Sequence, residues 1–106
     1  MNDSTGSTDP SDRYLEQITS ILRHALENAE CRIYLFGSRA AGRHSETSDF
    51  DVAVLASTDI TRELGIARER LEASNIPFLV DLLNLRTTSG PVARRIQDEG
   101  ILLWSN

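Results

Sequence analysis

Three aspartates carry the most chemical information in this 106-residue sequence. Asp49 and Asp51 stand two positions apart in Ser48-Asp49-Phe50-Asp51-Val52-Ala53-Val54, and Asp81 interrupts the apolar run Leu79-Val80-Asp81-Leu82-Leu83. In an extended strand, residues two apart face the same side with Cα atoms roughly 6.5 Å apart. Two carboxylates so placed repel each other unless a cation lies between them. A charge inside an apolar strand is also costly without a partner. A hard divalent cation such as Mg²⁺ takes oxygen ligands and keeps positions for water and substrate phosphates. If the two strands are neighbours, one metal cluster accounts for Asp49, Asp51 and Asp81 together. Taken alone, an Asp-x-Asp pair more often marks a turn or a helix cap, and Asp81 alone fits a strand end paired with an arginine. The coincidence of all three favours a site. An EF-hand is excluded, because the spacing from Asp49 lacks the mid-loop glycine and the final glutamate.

A second constellation lies upstream, in Phe36-Gly37-Ser38-Arg39-Ala40-Ala41-Gly42-Arg43. Gly37 and Ser38 follow an apolar strand and open a short helix. Backbone N–H groups at such a place attract anions, glycine lets a phosphate approach the chain, and the serine hydroxyl adds a donor. A strand-ending turn is the plainer role for either residue alone. Gly37 and Gly42 have the glycine spacing of a P-loop, but Arg43 and His44 stand where that motif needs lysine and then serine or threonine. Arg39 is grouped with Gly37 and Ser38 as a nucleotide-binding position. Arg39 and Arg43 can steer a triphosphate or meet a partner, although exposed or helix-pairing roles suit arginine equally. A surface loop accounts for His44, and His24 falls among the polar positions of the first helix. Cys31 reads as packing near a strand start. Phe36, Phe50 and Phe78 read as core residues on strands.

The elements that must position these residues follow from periodicity. Residues 1–10 read as a flexible leader, and residues 11–106 as one domain. Ser11 or Asp12 can cap a first helix whose apolar face is Leu15, Ile18, Leu22, Ala25 and Ala29. A strand spans Arg32 to Phe36, and a second spans Asp49 to Leu55. Ser57 to Asp59 supply caps for a helix burying Ile60, Leu64, Ala67 and Leu71. A third strand runs from Phe78 to Leu83. Ser89 caps a last helix with Pro91 in its first turn, Gly100 ends it, and Ile101 to Trp104 forms an apolar tail or edge strand. The link between the first two strands is about a dozen residues, near the minimum for a parallel crossover. The expected fold is therefore α+β, a small mixed β-sheet with helices packed mainly on one face.

Composition narrows the chemistry. Apolar residues make up 40% and charged residues 25%, an ordinary globular balance. Sixteen acidic against eleven basic residues give a net charge of −5, and every basic residue is arginine. Without lysine there is no Schiff-base chemistry. An acidic chain is a poor general duplex-DNA binder, so no extended nucleic-acid contact is expected. One cysteine permits neither an internal disulfide nor a cysteine-based zinc site, which fits a reducing cytoplasm. No apolar run approaches the roughly 18 residues of a membrane span.

The combination of Phe36-Gly37-Ser38 through Gly42, Ser48-Asp49-Phe50-Asp51 and Val80-Asp81-Leu82 resembles the nucleotidyltransferase signature of the DNA polymerase β superfamily. Size, layout and the ending Ile96-Gln97-Asp98-Glu99-Gly100-Ile101-Leu102-Leu103-Trp104 are similar to its minimal nucleotidyltransferase (MNT) branch, the antitoxin-like partners of HEPN-domain proteins. The resemblance covers nearly everything after the leader and implies a polymerase β-like nucleotidyltransferase fold. It implies that Gly37 and Ser38 hold nucleotide phosphates, that Asp49 and Asp51 bind two Mg²⁺ ions, and that Asp81 completes the catalytic metal site. Two departures stand out: Ala41, where many relatives carry a second arginine, and the aromatic Phe50, where an aliphatic is usual. The function implied is transfer of AMP from ATP to a hydroxyl, above all a tyrosine of a cognate HEPN toxin, with Asp81 also able to take the proton of that hydroxyl. A non-catalytic module that neutralises its partner by occlusion is the alternative. A free-standing transferase for a small molecule such as an aminoglycoside fits less well, since those enzymes carry an additional acceptor domain.

Overall fold

The computed structural model describes residues 11–42 and 49–106. The leader, and the roles weighed above for Arg43, His44 and Ser48, lie outside the described residues, as do the side chains of the expected caps Ser11 and Asp12. In chain order the elements are α1 (Ser11–Ala25), β1 (Cys31–Phe36), α2 (Gly37–Ala40), β2 (Phe50–Ala56), α3 (Thr61–Ala73), β3 (Val80–Asn84), a 3₁₀ turn (Leu85–Thr87), α4 (Gly90–Glu99) and β4 (Ile101–Ser105). The four strands form one sheet in the order β3-β2-β1-β4. β1 runs antiparallel to β2 and to β4, whereas β2 and β3 are parallel. The difference follows from the connections. The link after β1, near the minimum for a crossover, returns the chain antiparallel, while α3 supplies the crossover that a parallel pair requires.

Alternation along each strand sorts the side chains between two layers. On one side Cys31, Ile33 and Leu35 of β1 join Phe50, Val52 and Val54 of β2. Ile18, Leu22 and Leu26 from α1 and its following turn cover them, together with Leu64, Ala67 and Leu71 of α3. This is the main core, and the apolar faces read from sequence supply it. The other side carries a smaller cluster, in which Tyr34 and Ala53 pack with Leu85 and with Ala93 and Ile96 of α4. Two helices thus cover one face of the sheet, and α4 covers part of the other. Asp51 and Asp81 fall by the same alternation on the α4 side.

The start of α3 is held by Asp59, whose carboxylate accepts bonds from the Thr61 N–H at 3.0 Å and hydroxyl at 2.7 Å. Those bonds hold the Asp59 carboxyl below its ordinary range, with the hydroxyl bond the largest cause. At the far end of the chain, Ser89 sits at the N-cap of α4, but its side chain makes no capping bond; its carbonyl accepts from Ala93 instead. Gly100 ends α4, and its reason for being glycine is space. Its φ is an ordinary −75°, but a Cβ there would lie 2.5 Å from the Ile96 carbonyl oxygen and 3.0 Å from that of Leu35. The turn from α4 into β4 therefore depends on close backbone approach. Gly100→Ala is expected to destabilise the fold by about 1–3 kcal/mol through overpacking, visible as a lower urea midpoint; an unchanged midpoint would show that the turn has slack.

Candidate active site

β2 and β3 pair in parallel with Phe50 opposite Val80 and Asp51 opposite Asp81. Directly opposed residues of neighbouring strands share a face, so the carboxyls of Asp51 and Asp81 stand side by side. The Phe50 N–H donates to the Leu79 carbonyl at 3.0 Å and fixes that register at the acidic end of the pair. Asp49 immediately precedes β2 and is exposed, as is Asp81, while Asp51 is half-buried. Among the described residues, no three acidic, histidine or cysteine side chains are placed so as to hold a metal ion together. The acids are gathered at one edge of the sheet but remain open to solvent.

The turn after β1 meets this edge. In the antiparallel register Phe36 lies opposite Asp51, so the next residue, Gly37, runs past the Asp51 side chain. Gly37 has φ +78°, a conformation that L side chains rarely adopt. A Cβ placed on it would overlap Asp51 Oδ2 and lie 3.1 Å from Asp51 Cγ. Two independent demands, backbone hand and available space, thus require glycine at one position. Ser38 follows in α2, the single helical turn from Gly37 to Ala40.

Burial pushes the Asp51 carboxyl above its ordinary value, and the nearby charges of Asp81 and then Asp49 push it further in the same direction. That mutual repulsion is the electrostatic signature of three acids sharing a neighbourhood. Beside Gly37 and Ser38, a cleft of 360 Å³ opens between α2 and α4. Ala40, Ala41, Val92 and Ile96 give it apolar wall, and Arg95 and Glu99 give it a charged one. These two form an i,i+4 pair at 3.4 Å, largely exposed. Sequence reasoning gave α4 no part in the site. Its apolar positions were readable, but the face of the sheet it covers is decided by the sheet.

Arg39 has a different placement from Gly37 and Ser38. Its guanidinium is buried over the rings of Phe50 and Phe78, which belong to the α1–α3 layer. It does not line the cleft. Neither His24, exposed near the end of α1, nor Cys31 lines the cleft. Cys31 is a buried free thiol whose pKa is raised by burial, which makes it inert as a nucleophile.

The Gly37 turn and the acidic strand edge thus lie together in a four-stranded mixed sheet. The chain matches the family described as Polymerase beta, Nucleotidyltransferase over residues 16–106 and belongs to it. It is 35% identical over 91 residues to protein adenylyltransferase MntA of Shewanella oneidensis, an alignment covering 83% of this chain and 63% of that relative. The chain therefore spans less than two thirds of the relative's length. Among solved structures it is similar to a toxin–antitoxin complex with AMP-PNP, with a TM-score of 0.70 and 32% identity over 86% of this chain and 73% of the other. It is also similar to a chain in the structure of a tri-AMPylated Shewanella oneidensis HEPN toxin with its MNT antitoxin, with a TM-score of 0.66 and 28% identity over 90% and 72% of the two chains.

The Asp51 shift has a thermodynamic consequence. With its pKa raised on folding, Asp51 binds its proton more tightly in the native state than in the unfolded chain. Its contribution to stability is fully present below the ordinary carboxylate range and is lost as pH rises through the raised value. At neutral pH the ionised side chain opposes folding. Asp51→Asn is accordingly expected to raise Tm at pH 7 in metal-free protein, and the gain should shrink as the pH falls through the carboxylate range. Thermal melts of both proteins across pH check this, and a lower Tm for the variant at pH 7 would contradict it.

Proposed function

We propose that this chain transfers AMP from ATP to a hydroxyl group, specifically a tyrosine of a cognate HEPN-domain toxin, and acts as the antitoxin of that pair. The observation that carries the reading is the approach of the Gly37 turn to the Asp51 carboxylate, with Asp81 in register beside it. The relatives add chemistry of the same kind: one is named a protein adenylyltransferase, and another structure holds an AMPylated toxin with its antitoxin.

In this reading the backbone at Gly37 and the Ser38 hydroxyl hold the phosphates of ATP, and the adjoining cleft receives the rest of the nucleotide. Asp49, Asp51 and Asp81 are oxygen donors of the kind that hold Mg²⁺, and their mutual repulsion fits them to a divalent cation. Two such ions, when bound, stabilise the attacking and leaving oxygens of an in-line displacement. The tyrosine oxygen bonds to the α-phosphorus while the bond from that phosphorus to the bridging oxygen breaks, and pyrophosphate leaves. Asp81, exposed at the edge, takes the phenolic proton. Among the described residues no helix is long and apolar enough to cross a membrane. An ATP-dependent reaction and a free thiol at Cys31 suit a reducing cytoplasm.

The open arrangement of the three acids favours a second reading, a binding module that silences its partner by occlusion. One experiment separates the two. The toxin is co-expressed with this chain or with its Asp49→Asn variant, and its intact mass is measured. Transfer predicts added AMP on a tyrosine, lost in the variant with a rate reduction of roughly a hundredfold or more, the scale of several kcal/mol of charge stabilisation. A silenced toxin of unmodified mass would establish occlusion instead.

A further inference from the structure

The Gly37–Ser38 turn is carried by α2, a helix of four residues, too short to hold its orientation by its own hydrogen bonds. Arg39 anchors it. The Arg39 side chain is 7% exposed, and its guanidinium carbon lies 3.9 Å from the centroid of the Phe50 ring and 5.1 Å from that of Phe78. The two rings meet edge to face at 5.7 Å, and Tyr14 of α1 packs edge to face on Phe78 at 5.5 Å. These rings are not Arg39's sole partners; both lie on the segments that lead to the acidic edge. Phe50 lies between Asp49 and Asp51 in the chain, and Phe78 lies two residues before β3, three ahead of Asp81. A planar cation can lie against two faces at once, and desolvation strengthens its attraction to them.

We propose that Arg39 is a positioning residue for the transfer reaction: laid over Phe50 and Phe78 from beneath the sheet, it holds the Gly37–Ser38 turn in register with the strand ends that carry Asp51 and Asp81. The proposal rests on the transfer function argued above, and it separates two chemistries for one arginine. A phosphate ligand acts through ATP affinity. A positioning residue on the opposite layer acts through the alignment of the turn with the strand ends, where a displacement of about 1 Å can cost on the order of a hundredfold in rate.

Arg39→Met, Arg39→Lys and Phe50→Leu are compared with the unaltered protein in two measurements. The first is amide hydrogen exchange over residues 36–42 and 49–52, with residues 101–105 as an internal reference. The second is steady-state AMP transfer to the cognate toxin. Arg39→Met is expected to speed exchange about tenfold or more in both segments while leaving the reference unchanged, and to lower kcat roughly 10- to 100-fold with the KM for ATP within about twofold. Phe50→Leu should reproduce both effects, the double variant should be no worse than either single one, and Arg39→Lys should recover part of the loss. A raised KM with kcat and exchange unchanged would overturn the proposal and make Arg39 a nucleotide ligand. Unaltered exchange in Arg39→Met would overturn it by showing that the turn is held by other contacts. If Arg39→Met does not fold, Arg39→Lys and Phe50→Leu carry the same comparison. Absence of transfer by the unaltered protein would remove the function proposed above, and exchange alone would then decide whether Arg39 couples the turn to the strands.

Discussion

The backbone at Gly37 runs so close to the Asp51 carboxylate that a methyl group would overlap Oδ2, and it does so at a positive φ. This approach needs β1 and β2 antiparallel, so that the end of one strand meets the start of the other. It needs β2 and β3 parallel, so that Asp81 arrives on the same face as Asp51. A mixed sheet is the arrangement that meets both conditions with four strands. The short link after β1 and the α3 crossover are how the chain builds it.

Division of labour between the two faces follows. The α1–α3 layer buries Ile18, Leu22, Leu26, Ile33, Val52, Val54 and Leu64 almost completely, and each such side chain contributes about 1.5–3 kcal/mol on burial. That layer can therefore carry an opposite face that is less favourable in itself, where a half-buried carboxylate sits between two like charges. The strain is electrostatic and local. Groups that repel one another in this way are of the kind that a cation would stabilise.

Much of this was legible in the sequence, and the unread part has a physical pattern. Apolar faces at helical spacing, such as Ile60, Leu64, Ala67 and Leu71, identify α3 because burial alone decides them. The Asp-x-Asp spacing and the charge inside β3 mark the acidic edge because uncompensated charge in a strand is costly. Element ends moved by a residue or two, as with β3 beginning at Val80 rather than Phe78. Such ends depend on hydrogen bonds to neighbouring strands. Arg39 could not be read, since an arginine after Gly-Ser looks the same whether it turns toward a phosphate or toward two aromatic rings. The role of Gly100 was half legible: its position at a helix end was clear, but the crowding that requires glycine comes from Leu35, far away in the chain.

The central claim is that Gly37, Asp51 and Asp81 form one site for a metal–nucleotide complex. Mn²⁺, a paramagnetic substitute for Mg²⁺, tests it most directly when titrated with a non-hydrolysable ATP analogue into isotopically labelled protein while amide resonances are followed. Broadening is predicted to begin at Gly37, Ser38, Asp51 and Asp81 and to reach Ser105, paired with Arg32 at the far end of β1, last. Broadening centred on the acids Glu63 and Glu69 of α3, with those four amides sharp, would contradict it.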